Sequence, residues 1–472
     1  MSNEQQQLIE NALLNDLQQG RINRRQFFQL MIMAGMGVAG VSALAGNAST
    51  VNALPLQGTP AASTRPLTPT FYQWIIDLHP GVQDVNKAFG DLNFQIAPVS
   101  GFDVARFVAE GKNQQSTWDV YVGMTPFVEM ASLIKAGVIE PWDNYIPKDV
   151  IDDLIPSIRA ECTVDGKLYS WPFFLDIIVE GYNSTITTKA GLPDKPPADW
   201  DEYLANSQTV LDKNAARYGC TFDAHGWRSL APITHSGSTK AYYNLPNDPV
   251  ALFDFTSDPA IQALQTMKKM LDLSSANALQ PGTTDGGVNN TPDEVAFGSQ
   301  AVAYYIKYQN APLRFAETWT DPTALRLGAL PKYKGGEGST VFWTTGCCLF
   351  KYGQNKEKAA EYLKALTYND KIWQDSIAGN NKIHPGQLPP FKSIYDKWAK
   401  SQPDWLTKQT WVPLVRGQLD VAKAIPNHAF GLQQFVIGQP LWEKFLSGEE
   451  KDPKVAAQAA KDAVVAAIKA AG

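Results

Sequence analysis

The sequence predicts an α/β protein built on a parallel sheet, and three observations from residue 66 onward support this. Short runs rich in aromatic and β-branched residues recur along the chain. Between them, apolar residues return at spacings of three and four. The resulting order, βαβαβα, implies parallel strands with helices on both faces of the sheet. In such a sheet a ligand binds outside the carboxyl ends of the strands.

The elements follow in order. "TFYQWII", residues 70 to 76, reads as a buried strand. Pro80 follows, then a helical stripe at Val82, Val85 and Phe89. "NFQIAPV" alternates as a second strand, and "DVARFVAEG" gives a helix with Val104, Phe107 and Val108 on one face. "WDVYVG" is a third strand and "PFVEMASLIKAG" a third helix. The carboxyl ends of these strands fall at Trp74 to His79, Pro98 to Gly101 and Gly123 to Pro126. At the far end of the chain Asp452 can cap a helix whose first turn holds Pro453, with Val455, Ala459, Val464 and Ile468 as its apolar stripe. No internal repeat is visible.

Composition bounds the function. At 472 residues the chain is too long for one ordinary core and suggests two or more lobes. Hydrophobic residues at 44% and charged residues at 19%, with 13 Trp, 17 Tyr and 21 Phe, supply packed interiors and exclude a disordered chain. A net charge of -6 and a pI near 5.5 argue against a nucleic-acid partner, which needs a clustered basic face.

The N-terminus reads as an address. Arg24-Arg25 and Phe27-Phe28 precede an apolar stretch, Leu30 to Ala45, that Gly35, Gly37, Gly40 and Ser42 interrupt. A spanning helix wants about 20 predominantly apolar residues, so this stretch spans poorly. It resembles a twin-arginine export signal, with small residues for cleavage at Ala43 to Ala45 and Gly46 to Ala48. No cysteine follows, so a lipid anchor is not supported. Residues 1–48 are the expected signal and 49–68 a Pro/Gly/Ser/Thr-rich linker. Export of a folded chain from a reducing cytosol means that Cys162, Cys220, Cys347 and Cys348 cannot be required for folding through disulfides. Cys347 and Cys348 read as small buried hydrophobes, and a Cys162–Cys220 bridge after export stays open.

Motifs for chemistry are sparse. There is no dinucleotide fingerprint, no phosphate-binding loop, no H-E-x-x-H and no cysteine pair at zinc-ligand spacing. The histidines, His79, His225, His235, His384 and His428, are scattered, so no cofactor or metal is expected. "SLIK" at Ser132 to Lys135 lacks the partners of a serine acyl-enzyme. Tyr242-Tyr243 and Tyr304-Tyr305 leave a ferric-iron receptor open as an alternative. Asp176 and Glu180 leave open a glycoside hydrolase, which needs two facing carboxyls.

Six phrases, in order, resemble one family. They are "FVAEGKNQQSTWDVYVGMTPFVEMASLIKAGVIEPWDNYI", "DGKLYSWPFFLDIIVEGYN", "GLPDKPPADWDEYL", "EVAFGSQAVAYYIKY", "NKEKAAEYLKALTYND" and "GEEKDPKVAAQAAKDAVVAAI". Together they resemble the periplasmic solute-binding proteins, family 1, of ATP-driven carbohydrate importers. Trp142, Ala198 and Val302 depart from the usual Leu, Thr and Met of those phrases and leave the sugar identity open.

The resemblance implies a periplasmic-binding-protein-like fold of two α/β lobes with a hinge and a ligand cleft between them. Lobe 1 is then 69–175 and 346–386, and lobe 2 is 176–345 and 387–472. The crossings fall near Pro172 to Asp176, Thr345 to Cys348 and His384 to Leu388. It further implies no catalysis, a monomer, and as partners a carbohydrate or polyol and a membrane permease, while the N-terminal signal implies the twin-arginine machinery. A twin-arginine-exported oxidoreductase is the other enzyme alternative.

A sugar offers hydroxyls around an apolar ring face, so its receptor needs aromatic platforms with acceptors and donors in the ring plane. By alignment the candidates are Trp74 and Asp77 after the first strand, Thr125 after the third, Asp176 at the first crossing, and Trp227 and Tyr308 from the second lobe. Trp343, Thr345 and Gly346 on the returning strand complete the set. Asp176 sits between Leu175 and Ile177, where an unpaired carboxylate is costly, which favours function. Asp77 can instead cap the helix after His79, Gly346 can serve packing alone, and each isolated Trp can be core.

Overall fold

The computed structural model describes residues 65–98, 104–224, 226–280, 283–285, 288–379 and 385–471. The predicted export signal and most of the linker lie outside the described residues, as do Gly101, His225 and His384.

Nine strands form one sheet among the described residues: β1 (Pro69–Phe71), β2 (Gln95–Ile96), β3 (Val120–Met124), β4 (Ile139–Glu140), β5 (Trp171–Asn183), β6 (Tyr218–Phe222), β7 (Val302–Tyr308), β8 (Leu325–Gly328) and β9 (Phe342–Phe350). The order is β2-β1-β3-β9-β5-β7-β6, with β4 paired to β9 and β8 to β5. Strand β1 is parallel to β2 and β3, and β7 is parallel to β6. Strand β9 is antiparallel to both β3 and β5, and β5 to β7. The expected parallel sheet therefore holds on each flank and reverses in the middle. The two middle strands are long, 13 and 9 residues, and buried along their whole length. Sequences such as "WPFFLDIIV" read as near-continuous apolar runs because both faces are covered.

The first element is shorter than predicted. Strand β1 ends at Phe71, and α1 (Gln73–Leu78) takes the rest of "TFYQWII". The Tyr72 N–H closes the strand by donating to Val122 O at 2.9 Å, after which Ile75 and Leu78 bury one helical face. Packing against the core thus overrides the β-propensity of Ile75 and Ile76. The next helix matches its stripe: α2 (Gly81–Phe89) buries Val82 and Val85. Its first turn follows Pro80, and Asp77 does not cap it. Helix α3 (Ala105–Lys112) buries Phe107 against Trp118 and Phe350. After β3 the chain makes a π-helical turn, Pro126–Met130, before α4 (Ala131–Lys135).

In the second half α5 (Trp200–Asp212) starts on a reciprocal cap, with the Glu202 N–H donating to Asp199 and the Ala198 N–H to Glu202, both at 2.8 Å. Helices α6 (Trp227–Gly237), α7 (Pro292–Gly298) and α8 (Asn310–Ala316) follow or precede β6 and β7 and carry much of the site below. Helix α9 (Lys356–Thr367) packs beneath β9, α10 (Gly431–Ser447) lies late in the chain, and α11 (Pro453–Ala470) is the last helix.

The main core gathers around β5 and β9 and includes Trp171, Phe173, Phe174, Trp373 and Leu388. A fully buried side chain of this size contributes about 1.5–3 kcal/mol. All four cysteines are free and buried. Cys162 faces Thr344 Oγ1 at 3.6 Å, whereas Cys220 donates to Met270 O at 3.6 Å, so the bridge left open between them does not form. The last helix begins as predicted, with the Lys454 N–H donating to Asp452 Oδ1 at 2.8 Å. Its buried stripe differs in part: Val464 is buried as predicted, but Ala456, Ala457 and Ala460 turn inward while Val455 is 53% exposed. The contact with α10 is close, since a Cβ at Gly438 would come 3.3 Å from Ala460, and alanine fits where valine is too large.

Candidate functional site

Three of the predicted aromatics meet. Trp343 on β9 lies edge-on to Trp227 at 4.8 Å and 85°, and edge-on to Tyr308 at 5.6 Å and 87°. These are favourable T-shaped geometries, worth about 0.5–1.5 kcal/mol per pair beyond buried area. The Arg228 guanidinium lies 5.1 Å from the Trp227 ring and 5.7 Å from the Tyr308 ring. On the far side Phe127, from the π-helical turn, stands edge-on to Trp227 at 4.7 Å. That turn is held by Glu129, which accepts from the Thr125 N–H at 2.7 Å and from Tyr121 OH at 3.3 Å. Helix α10 abuts the same turn so closely that a Cβ at Gly431 would fall 1.8 Å from Phe127 O.

Asp176 is the cross-strand partner of Trp343. Its carboxylate accepts from Asn310 Nδ2 at 2.6 Å, Gln387 Nε2 at 2.8 Å and Gln309 Nε2 at 3.3 Å. An ionised carboxylate offers about four lone-pair sites, so capacity remains on Oδ2. Burial raises the Asp176 carboxyl to about 6, opposed by the bonds from Gln387 and Asn310 and by the nearby Arg314 and Arg228. Gln309 also accepts the Ile177 N–H at 2.6 Å and donates to Leu175 O and Gly386 O. The segment that carries Gln387 runs beside β5 through a bridge from Leu175 to Leu388. Three chain segments are thereby tied at one point.

Behind Tyr308 lies a buried charged network. Lys307 donates to Asp223 at 2.9 Å and to Asp293 at 2.7 Å, and Tyr305 OH donates to Asp293 at 2.8 Å. Burial opposes the Lys307 charge, but the attraction of Asp223 and Asp293 prevails and raises its pKa. Glu294 meets Arg314 at 3.5 Å and accepts from Tyr308 OH at 3.5 Å.

Some polar atoms of this cluster remain unused. Asn310 Oδ1, Arg228 Nε, Arg314 Nε and Glu294 Oε2 are buried with no hydrogen-bond partner among the described residues. Buried polar atoms are ordinarily paired with protein or ordered water, so these four can serve water or a polar guest.

The other predicted residues are placed differently. Trp74 on α1 is half-buried and stands edge-on to His79 at 6.5 Å. Asp77 is exposed and accepts from Gln73 Nε2 at 2.9 Å. Thr125 is the buried residue before the π-helical turn. Thr345 is buried on β9 opposite Phe174. Gly346 sits at a strand irregularity where a Cβ would come 2.2 Å from Ser170 Oγ and 3.0 Å from Trp171 O, so close packing requires glycine there. Reasoning from the sequence did not single out Phe127, Arg228, Gln309, Asn310 and Gln387. Arg228, Gln309 and Asn310 lie just past the carboxyl ends of β6 and β7, where the strand-end rule applied to the second parallel pair finds them.

The alternatives fare less well. Asp176 and Glu180 lie four residues apart on one strand, a backbone span of about 13 Å, too far for a facing pair. Tyr242 bonds to His235 Nε2 at 2.8 Å and Tyr305 to Asp293, so one tyrosine of each pair is engaged elsewhere. Surface hollows of about 300 Å³ beside Asp152 and Arg159 and about 410 Å³ beside Trp398 and Trp405 contain no predicted site residue. Exposed ion pairs, Arg159 with Asp152 and Lys397 with Asp370, already occupy their rims. No helix of the described residues is long and apolar enough to cross a membrane.

Comparison with known proteins agrees with this fold. Residues 69–371 match the bacterial extracellular solute-binding protein family, and the chain belongs to that family. A Brucella abortus protein described only as a binding protein is 24% identical over 330 residues, 67% of this chain and 75% of that protein. The GacH receptor of Streptomyces glaucescens, solved unliganded and with acarbose, superposes with a TM-score of 0.66 at 19% identity, over 86% of this chain and 99% of that one. A solute-binding protein of an ABC transporter from Thermotoga lettingae, bound to α-D-tagatose, gives 0.66 at 17% identity, over 87% and 100%.

Proposed function

We propose that this solute-binding protein captures a carbohydrate or polyol between two lobes and delivers it to the permease of an ATP-driven importer. One observation supports it most: buried, unpartnered polar atoms of Asn310, Arg228 and Glu294 gather beside the Trp227, Trp343 and Tyr308 rings. Rings for an apolar sugar face and unspent donors and acceptors for hydroxyls are the two requirements of such a ligand. The sugar complexes of the Streptomyces and Thermotoga proteins support the same class.

In this reading 69–175 and 346–386 form one lobe and 176–345 and 387–472 the other, and β5, β9 and the segment through Leu388 are the crossings. The three rings are each more than nine-tenths buried, so the guest enters when the lobes part and closure about the crossings covers it. Among the predicted residues, Asp176, Trp227, Tyr308 and Trp343 are the contacts to the guest. Trp74 and Asp77, which lie apart from the ring cluster, and Thr125 are taken as further contacts from the first lobe, and Thr345 and Gly346 as contacts from the returning strand. Residues up to about Ala48 serve as a twin-arginine export signal, and the mature protein acts as an extracytoplasmic monomer.

A thermal-shift panel of maltose, maltotriose, D-tagatose and D-mannitol, with amino acids as controls, tests this. Only a species that prefers the native state raises the midpoint. A rise with at least one sugar or polyol is expected. Unmoved midpoints with all four, or a rise with an amino acid alone, would contradict it.

A further inference from the structure

We propose that Gln387 is a positioning residue of the ligand site, the middle link of a relay from His79 through Gln387 to Asp176. This rests on the reading of that site as a sugar site. Gln387 Oε1 lies 2.7 Å from His79 Nε2. An amide oxygen only accepts, so the proton is on His79 Nε2. The amide is thereby oriented with its nitrogen toward Asp176, to which it donates at 2.8 Å. Gln387 is 1% exposed and His79 2% exposed, so both bonds are shielded from bulk water.

The histidine is fixed independently. Its ring stacks on Phe174 at 3.8 Å and 14°, and burial lowers its pKa to about 3, so it stays neutral through the physiological range. It ends α1, the helix that carries Trp74. The relay therefore joins the end of the first βα unit to the carboxylate beneath Trp343. Asp176 is held by donors from α8 on one side and from the Gln387 segment on the other.

Among the described residues three donors and no acceptor bond to this carboxylate, an arrangement that favours its ionised form. The charged or titratable groups acting on it are Arg314 on α8, Arg228 on α6 and, through Gln387, His79. Loss of the Gln387 donor should make the carboxyl easier to protonate and leave Oδ2 unheld, with Asn310 and Gln309 still on Oδ1.

The test uses the mature protein with maltose and D-mannitol as probes. The Asp176 carboxyl is followed by carbon NMR without ligand, assigned through Asp176→Asn. Gln387→Met keeps the volume and removes the donor. It should raise the Asp176 midpoint by about one pH unit and weaken sugar binding about tenfold. Gln387→Glu sets a second carboxylate against the first and should weaken binding at least tenfold at pH 7.5, with recovery at pH 5.5 where the pair shares a proton. Midpoints and affinities of both variants within twofold of the parent overturn the relay. If neither probe binds the parent protein, the four-sugar panel judges the sugar reading separately. The carboxyl titration then still decides the relay: a raised midpoint upholds it and an unmoved one refutes it.

Discussion

Asp176 and Trp343 stand opposite one another on adjacent antiparallel strands, which puts the buried carboxylate next to the ring that touches both Trp227 and Tyr308. The strand register sets this proximity, since a shift of one residue would turn either side chain to the other face of the sheet. The acid and the platform are one unit, and perturbing either should register in ligand binding.

Trp343→Ala removes the ring shared by both edge contacts. An affinity loss of at least tenfold for the best-bound sugar is expected, with Trp343→Phe intermediate, because each aromatic contact contributes about 0.5–1.5 kcal/mol. Calorimetric titration of the three proteins checks this. Equal affinities would remove the ring cluster from the site.

Binding should weaken in acid. The Asp176 carboxyl is raised by burial to about 6 and its partners in the folded protein are all donors, so protonation on descending through about pH 6 competes with the bound arrangement. Affinity measured from pH 7.5 to 5 should fall in the parent and stay flat in Asp176→Asn. An equal fall in both would assign the titration to another group.

Stability should respond to pH through Glu129 and Glu161. Burial raises both to about 8, above their value of about 4.3 in the unfolded chain. The stability they contribute is therefore complete below about pH 4.3 and is lost as pH rises through about 8. Glu161→Gln should flatten the decline of the melting temperature between pH 5.5 and 8. A slope identical to the parent's would show that Glu161 does not titrate in this range.

Gly346→Ala should cost about 1–3 kcal/mol and lower the melting temperature by a few degrees, because the added methyl meets the Ser170 hydroxyl and the Trp171 carbonyl. Thermal unfolding checks it. No change would mean that the crossing strands can part there freely.

Burial raises the thiol pKa of all four cysteines. None should react with a thiol reagent in the native protein, and all four should react in guanidinium, since the thiolate is the nucleophile. Rapid labelling of one residue in buffer would show an opening at that site.

Much of this was legible in the sequence. The α/β alternation followed from short β-rich runs between helical stripes, and Val82 and Val85 appeared where their spacing put them. The antiparallel pairing of β9 with β3 and β5 was not legible, because a continuously apolar strand looks the same whichever way its neighbour runs. Strand β1 was overextended because Ile75 and Ile76 carry β-propensity in a helix whose packing decides the outcome. Asp176, Trp227, Tyr308 and Trp343 were found by resemblance, and their meeting depended on a register that one sequence does not reveal. Gln387, an amide in a loop, carried no signal, and only the folded chain shows that it and Asn310, the first residue of α8, point at the same carboxylate.

The most direct test of the proposed function is calorimetric titration of the mature protein with the sugar panel, followed by chromatography of the recovered ligand. One saturable site, with the sugar recovered unchanged, is the expected result. No saturable heat with any sugar, or a new product peak, would contradict it.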